Sequence, residues 1–218
     1  SNTSSSQKRN PYHLPIGTRK KDYKQQLDSQ AIWQMVNLME YIPGLRTDVR
    51  YATKHNFTKQ VLYHEEGLFL RKRAAERLRL VNDSLQKKGL CLLVFDAYRP
   101  YAITLKMWKI VPDDRYAANP ANGSGHNRGI AVDVTLADAR TGIPLQMPTD
   151  YDNFSDTAHH NFPLSDSTVL ANRTLLKNVM MHFGFVPLST EWWHYSLPDA
   201  KTYPLMDFSF RQIHTWLN

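Results

Sequence analysis

Two short stretches of this 218-residue sequence hold side chains that can bind a metal ion. The first, SGHNRGIAVDVT at residues 124–135, contains His126 and Asp133, and the second, TEWWHY at residues 190–195, contains His194. Imidazole nitrogens and carboxylate oxygens are zinc ligands, and a catalytic zinc ion takes three protein ligands and keeps a fourth position for water. An aspartate within an apolar strand is costly to bury unless it is paired. We therefore predict that these three side chains bind one zinc ion.

The residues around the first stretch indicate how its ligands are presented. Gly125 and Gly129 permit a tight loop around His126. In the following GIAVDVT segment apolar residues recur with period two, as in a strand, which turns Asp133 away from the apolar face. The loop and the strand can thus bring an imidazole and a carboxylate to the same side.

Glu191 is the candidate general base, and its position requires a local irregularity. We predict one last strand over FVPLSTEWWHYS, and in a regular strand Glu191 and His194 point to opposite faces. A bend or bulge before Trp192 would bring both side chains into one cleft, where the carboxylate could take a proton from water bound to the metal. The alternative is a surface glutamate beside an aromatic core strand.

Arg99 follows the apolar run LCLLVFD, where a buried strand is expected to end because Pro100 cannot continue a central ladder. Its guanidinium could stabilise the oxyanion that forms when water adds to a peptide carbonyl. A salt bridge with Asp96 is the alternative. The position along the chain is compatible with both interpretations.

The remaining pattern predicts an α+β fold. Apolar spacing indicates helices over about residues 68–88, 101–110 and 167–183, and they do not alternate strictly with the expected strands. We predict a single domain with a largely antiparallel central sheet flanked by helices. Residues 1–28 are polar and lack apolar periodicity, which predicts an N-terminal arm before a domain over residues 29–218.

Composition limits the classes of function. The formal charge is +7, but the basic residues cluster in KKDYKQQ and RKRAAERLR, and no nucleic-acid-binding motif accompanies them, so we expect no nucleic-acid partner. No window approaches the ~18 consecutive apolar residues of a membrane-spanning helix, so none is expected. Cys91 is the single cysteine of the sequence, which excludes an intrachain disulfide and a cysteine-based zinc cluster.

The two metal-binding stretches resemble the signature of the zinc D-alanyl-D-alanine dipeptidases of vancomycin-resistance operons and their bacterial relatives, within the wider zinc D,D-peptidase and hedgehog-like superfamily. The resemblance continues through DVRYATKHNF, FDAYRP, MPTDYDNFSDTAHHNF and YPLMDF, and covers about residues 45–208. It implies one zinc ion per chain on His126, Asp133 and His194, Glu191 as general base and Arg99 against the transition-state oxyanion.

The same resemblance implies a substrate-binding set. Asp152, together with the Tyr51 hydroxyl, would hold the free ammonium of a dipeptide, and Ser124 would help to bind its carboxylate. A fixed carboxylate beside the scissile bond favours dipeptides over longer chains, because only a dipeptide places its ammonium there. The chain departs from the family at Lys59 and Pro148, where glycine is usual; these changes bear on the substrate range and not on the metal site.

These observations predict a zinc metallopeptidase that hydrolyses the small dipeptide D-Ala-D-Ala to two D-alanines. One alternative is a D,D- or L,D-carboxypeptidase that trims peptidoglycan stem peptides, and another is a non-catalytic zinc module that binds the cell wall. Because the family is bacterial and the sequence starts at Ser1 and not at methionine, we expect a bacterial protein that is periplasmic or otherwise exported, not cytoplasmic.

Overall fold

The computed structural model describes residues 10–217. Within them the α-helices are α1 (Lys20–Ser29), α2 (Leu38–Tyr41), α3 (Lys72–Gln86), α4 (Tyr101–Ile110), α5 (Ser167–His182) and α6 (Phe210–Leu217). The β-strands in this range are β1 (Ile16–Gly17), β2 (Met35–Asn37), β3 (Arg46–Thr47), β4 (Phe69–Arg71), β5 (Leu90–Asp96), β6 (Ala131–Asp138), β7 (Val186–Leu188), β8 (Glu191–Ser196) and β9 (Leu205–Met206). Several short 3-10 turns connect these elements.

A five-stranded sheet with the order β3-β5-β6-β8-β7 forms the centre of the fold. β3 runs parallel to β5, and the other neighbouring pairs of this sheet are antiparallel. α3 and α5 contact each other as well as strands of the sheet, so they pack together against it. The predicted α+β single domain with a largely antiparallel central sheet is confirmed. Among the described residues, no helix is long and apolar enough to cross a membrane.

α3 follows the predicted apolar stripe, because Ala74, Leu78, Val81 and Leu85 recur at helical spacing and are all buried. The helix begins at Lys72, however, and not near residue 68. The residues just before it form β4, which pairs with β2 in a separate two-stranded sheet. The predicted helix is therefore too long at its N-terminal end. The first residues assigned to it pair instead with β2, a strand that is distant in sequence.

One bulge in the central sheet lies beside Asp133. Val94 of β5 pairs with Val134 of β6, and Asp96 pairs with Asp133, so Phe95 is the extra residue of the bulged strand. The bulge places the carboxyl-bearing residues of the two strands opposite each other at the end of β5.

A second irregularity lies between β7 and β8, which form a hairpin and not the single strand that the sequence predicted. Pro187 pairs with Tyr195 and Leu188 pairs with Glu191, so one step along β7 corresponds to four along β8. Both tryptophans of TEWWHY are buried although they are consecutive. The single-strand prediction is wrong because the chain reverses just before Glu191, and the register shift supplies the irregularity expected near Trp192.

The described part of the predicted arm, residues 10–28, packs on the rest of the fold. β1 pairs with β9, and Tyr23 of α1 stacks on Trp216 with the ring centroids 5.6 Å apart. The Tyr23 hydroxyl accepts a 2.9 Å hydrogen bond from the Met35 amide. The expectation of a separate arm is wrong for this part, because a strand pair and one buried aromatic ring anchor a segment of mostly polar composition. Residues 1–9 of that prediction lie outside the described residues.

Candidate active site

The three predicted metal ligands meet at one point. His126 starts a 3-10 turn, Asp133 lies on β6, and His194 is its direct partner on β8. Asp133 Oδ1 lies 3.2 Å from His126 Nε2 and 3.0 Å from His194 Nδ1. All the candidate ligand atoms lie within 4.8 Å of one another. Three ligands at about 2.0–2.2 Å from one zinc ion require such spacing, so these side chains fit the ion that the sequence predicts.

The turn that presents His126 ends at Gly129, as the sequence predicted. Gly129 has a φ of +69°, in the left-handed region that glycine adopts at no steric cost. A Cβ atom there would lie 3.1 Å from Arg71 Cγ and from Met206 Cε. His126 Nδ1 lies 2.7 Å from the Ala97 carbonyl oxygen. Because a carbonyl oxygen only accepts, Nδ1 carries a proton, and Nε2 is the ring nitrogen that is left to bind a metal ion.

Asp133 is buried but kept ionised. Burial alone would raise its pKa, but the charges and hydrogen bonds of His126 and His194 lower the pKa well below its ordinary value. Its second oxygen, Oδ2, accepts a 2.6 Å hydrogen bond from the Tyr151 hydroxyl. The site therefore holds the carboxylate in the deprotonated form that a metal ion binds.

Glu191 lines the same cavity as the three candidate ligands, and this cavity has a volume of about 220 Å³. The irregular pairing of β8 brings Glu191 to the same cavity as His194, which regular strand alternation would not do. Burial raises the pKa of Glu191, His194 lowers it, and the negative charge of Asp133 raises it further, so the net shift is upward. A carboxylate with a raised pKa is a better proton acceptor near neutral pH.

Arg99 both forms the salt bridge with Asp96 and lies at the cavity, where it could stabilise an oxyanion. Its Nε and Nη2 donate to Asp96 Oδ2 at 3.0 and 2.7 Å, so the salt bridge exists. The guanidinium also lies over the Tyr51 ring, 5.3 Å from its centroid, and lines the cavity. Burial opposes the charge, but Asp96 raises the pKa of Arg99 well above its ordinary value. Tyr63 donates to Asp96 Oδ1 at 2.7 Å and completes the support of the carboxylate.

The three predicted substrate-binding residues also line the cavity. The Tyr51 hydroxyl donates to Asp152 Oδ2 at 2.5 Å. Burial raises the pKa of Asp152 well above its usual range, and the negative charges of Asp133 and Glu191 raise it further. The hydrogen bond from Tyr51 lowers the pKa but does not offset these effects. Ser124 Oγ accepts a 3.1 Å hydrogen bond from the His126 amide. Within residues 10–217 no salt bridge neutralises Asp152, so a carboxylate in this environment is suited to bind a cationic group.

The rest of the cavity wall is mostly small or apolar. It consists of Met107, Asp114, Tyr116, Ala117, Ala118, Gly125, Phe154 and Leu188. A volume of about 220 Å³ is below the roughly 300–1,000 Å³ typical of pockets for drug-sized ligands. The cavity therefore suits a small ligand with short apolar side chains and charged ends.

Tyr151 belongs to the site although the sequence did not single it out. Its hydroxyl donates to Asp133, and its ring stacks on Phe95 with centroids 4.3 Å apart and planes at 11°. The Tyr151 ring also lies 5.5 Å from the Trp193 ring, centroid to centroid, in a T-shaped arrangement. A tyrosine in a polar loop gives no periodic signal, so only its place next to Asp152 in TDYDNF could have suggested it. The sequence likewise suggested Asp96 only as a salt-bridge partner of Arg99.

Comparison with known proteins adds independent findings. A family model described as D-ala-D-ala dipeptidase matches residues 32–213. The D-alanyl-D-alanine dipeptidase of Escherichia coli is 35% identical over 177 residues, covering 81% of this chain and 91% of the relative. That of Enterococcus faecalis is 31% identical over 193 residues, covering 79% of this chain and 95% of the relative. Among solved structures, VanYB in complex with D-alanine-D-alanine is 16% identical with a TM-score of 0.41, covering 71% of this chain and 82% of its own.

Proposed function

The chain belongs to the D-alanyl-D-alanine dipeptidase family, and on that premise we propose that it hydrolyses D-Ala-D-Ala to two D-alanines with one zinc ion. One observation carries the proposal. Two imidazole nitrogens and one carboxylate oxygen converge on a small cavity whose wall also contains Glu191 and Arg99. The same wall therefore combines a metal-binding set, a proton acceptor and a fixed cation.

His126, Asp133 and His194 would hold the zinc ion. When bound, zinc supplies Lewis acidity toward water and toward the peptide carbonyl. Two of these ligands are oriented by hydrogen bonds at their other atoms: His126 Nδ1 donates to the Ala97 carbonyl, and Asp133 Oδ2 accepts from the Tyr151 hydroxyl. His126 and Asp133 are thus supported on the side away from the ion.

Glu191 would act as the general base. Its carboxylate takes a proton from the attacking water and passes it to the departing amine, so the same group serves as base and then as acid. The raised pKa of Glu191 suits both roles, because the protonated form must be accessible after the first transfer. Its position at the cavity wall supports this role over that of a surface glutamate.

Arg99 would stabilise the oxyanion. Nε and Nη2 both donate to Asp96 Oδ2, which holds the guanidinium at the cavity wall. A cation fixed in this way would stabilise the developing negative charge with no side-chain reorganisation during the reaction. The salt bridge with Asp96 is therefore what positions the guanidinium.

Asp152 would confer the preference for dipeptides. Its carboxylate carries a raised pKa in the free protein, and a substrate ammonium beside it would relieve that electrostatic penalty. Only a dipeptide presents a free ammonium next to the scissile bond. Ser124, at the same cavity, would contribute a hydroxyl to the substrate carboxylate.

The function is tested by assaying zinc-loaded protein with D-Ala-D-Ala and with its N-acetylated form. We expect hydrolysis of the free dipeptide alone. Equal hydrolysis of the blocked dipeptide would favour the carboxypeptidase alternative, and a zinc-loaded protein that cleaves neither would favour the non-catalytic module.

Replacing the base separates metal binding from turnover. Glu191→Gln is expected to retain zinc and to lower kcat by roughly 10²–10⁴-fold, the usual contribution of a general base. His126→Ala, as the matched ligand variant, is expected to lose the metal itself. Metal analysis of both purified variants accompanies the assay, and substantial turnover by Glu191→Gln would remove Glu191 from the base role.

A further inference from the structure

Two tyrosine hydroxyls lie side by side behind the candidate metal site. The Tyr151 hydroxyl is 2.6 Å from Asp133 Oδ2 and 3.3 Å from the Tyr51 hydroxyl. The Tyr51 hydroxyl is 2.5 Å from Asp152 Oδ2. Each phenol has one proton to donate, and the short distances direct both protons to carboxylates. Neither proton is therefore left for the longer contact between the two hydroxyl oxygens, and each tyrosine donates to a different carboxylate.

The Tyr151 hydroxyl is held in place by its ring and not only by its loop. The ring is buried and contacts both Phe95, the bulge residue of β5, and Trp193 of β8. Both neighbours belong to the strands that flank β6, the strand of Asp133.

The two oxygens of Asp133 have different surroundings. Oδ1 faces His126 and His194, where a metal ion would bind, whereas Oδ2 accepts the proton of Tyr151. A carboxylate with both oxygens free can bind a metal ion through one oxygen or through two. A second bound oxygen would occupy a coordination position that a catalytic site must leave for water.

We propose that Tyr151 is a positioning residue that holds Asp133 as a one-oxygen zinc ligand and thereby strengthens zinc binding. The proposal rests on the metal site of the proposed function. Hydrogen-bond partners of metal ligands typically account for 10–100-fold in metal affinity, because they fix the orientation of the ligand before the ion arrives.

The chain offers matched variants that each remove a single oxygen atom. Tyr151→Phe keeps the ring that stacks on Phe95. Tyr51→Phe removes the adjacent hydroxyl, whose partner is Asp152 and not a metal ligand. Tyr195→Phe removes a buried hydroxyl on β8, next to His194 in sequence, that has no hydrogen-bond partner among the described residues.

The first measurement is zinc affinity of the metal-free proteins, by competition with a chromophoric chelator. We expect Tyr151→Phe to bind zinc about 10–100-fold more weakly, while Tyr51→Phe and Tyr195→Phe stay close to the unchanged protein. Equal affinity of Tyr151→Phe and the unchanged protein would overturn the proposal. Failure of the unchanged protein to bind zinc would instead overturn the metal site itself. Near-ultraviolet circular dichroism checks that the aromatic packing is retained.

The second measurement is the visible spectrum of the cobalt-substituted proteins. This spectrum reports the coordination number of the cobalt ion, and only folded protein with a formed site contributes to it. The unchanged protein and Tyr195→Phe are expected to show the intense absorption of a four-coordinate site. Tyr151→Phe is expected to absorb more weakly, because a freed Oδ2 adds a ligand to the ion. If Tyr151→Phe gives the same spectrum as the unchanged protein, Tyr151 does not keep Asp133 bound through a single oxygen, and this part of the proposal is overturned.

Discussion

Arg71 and Arg99 are both buried, and each lies at or just beyond the end of a strand, yet their guanidinium groups have different partners. Arg71 donates to neutral oxygens, those of the Gln26 side chain and of the Trp33, Arg128 and Pro204 carbonyls. Arg99 donates twice to the Asp96 carboxylate and lines the cavity. The first arginine joins segments of the fold, whereas the second presents a charge to the cavity.

The pKa values of the two arginines follow from these partners. Burial lowers the pKa of Arg71 to about 10, because no carboxylate in the described part of the chain offsets the loss of water. Burial acts on Arg99 as well, but Asp96 raises its pKa well above the ordinary value. Neutral carbonyls thus satisfy the geometry of a buried guanidinium, whereas a carboxylate also stabilises its charge. We therefore expect Arg71 to determine stability and Arg99 to determine turnover.

The largest expected effect is on folding. Arg71→Met would remove a donor from partly buried carbonyls of three separate segments, and we expect the free energy of unfolding to fall by about 3–5 kcal/mol. Urea denaturation measures this loss. The control is Arg73→Met at an exposed position of α3, which loses a 3.3 Å hydrogen bond to the Tyr203 hydroxyl and should lower the free energy of unfolding by about 1 kcal/mol or less. A stable Arg71→Met protein would break the comparison.

The next effect is on catalysis. Arg99→Lys keeps the positive charge beside Asp96 but lacks the planar group that reaches both this carboxylate and the cavity, so we expect kcat/KM to fall by about 10²–10³-fold. The free energy of unfolding should change far less. Arg50→Lys is the control, because Arg50 lies 5.4 Å from the Phe95 ring centroid and pairs with Asp48 at 2.7 Å. If both variants reduce kcat/KM equally, the oxyanion role of Arg99 is contradicted.

The smallest expected effect is on thermal stability, and it concerns the buried carboxyl group of Asp152. Asp152→Asn removes a carboxylate whose pKa is raised by burial, and asparagine tolerates the φ of +60° at this position. In metal-free protein at neutral pH we expect a Tm higher by about 2–4 °C, or ~1 kcal/mol at this chain length. Turnover of D-Ala-D-Ala should fall in the same variant, since function and stability oppose each other here.

The pH dependence of that stabilisation has a defined sign. The folded protein binds the Asp152 proton more tightly than the unfolded chain, so the unchanged protein loses stability as the pH rises above the ordinary aspartate pKa of about 3.9. The Tm difference between Asp152→Asn and the unchanged protein should therefore be present at pH 7 and vanish near pH 4. A difference that is constant over this range would contradict a buried charge as its cause.

Much of the site was accessible from local patterns. The alternation in GIAVDVT predicted that Asp133 leaves the apolar face, and the glycines around His126 predicted the turn that presents it. The helix over residues 101–110 was predicted with its observed limits. These features depend on side-chain types a few positions apart, and such spacing sets which face of an element is apolar.

Other features had no local signal. Lys59 has a φ of +59°, in the left-handed region, and the resemblance noted this position only as one where glycine was expected. Tyr23 is buried in a segment of polar composition because it finds Trp216 at the other end of the chain. A contact between residues so far apart leaves no periodic pattern in either segment.

The sequence by itself determined the metal-binding side chains, the family and the class of reaction that its motifs predict. Tertiary structure decided that Glu191 shares a cavity with His194, that Asp96 holds Arg99 at its wall, and that Tyr151 reaches Asp133. Side-chain chemistry is a property of each residue, and regular elements follow from spacing along the chain. Strand register, bulges and loop placement depend instead on pairings between distant segments, which exist only once the chain has folded.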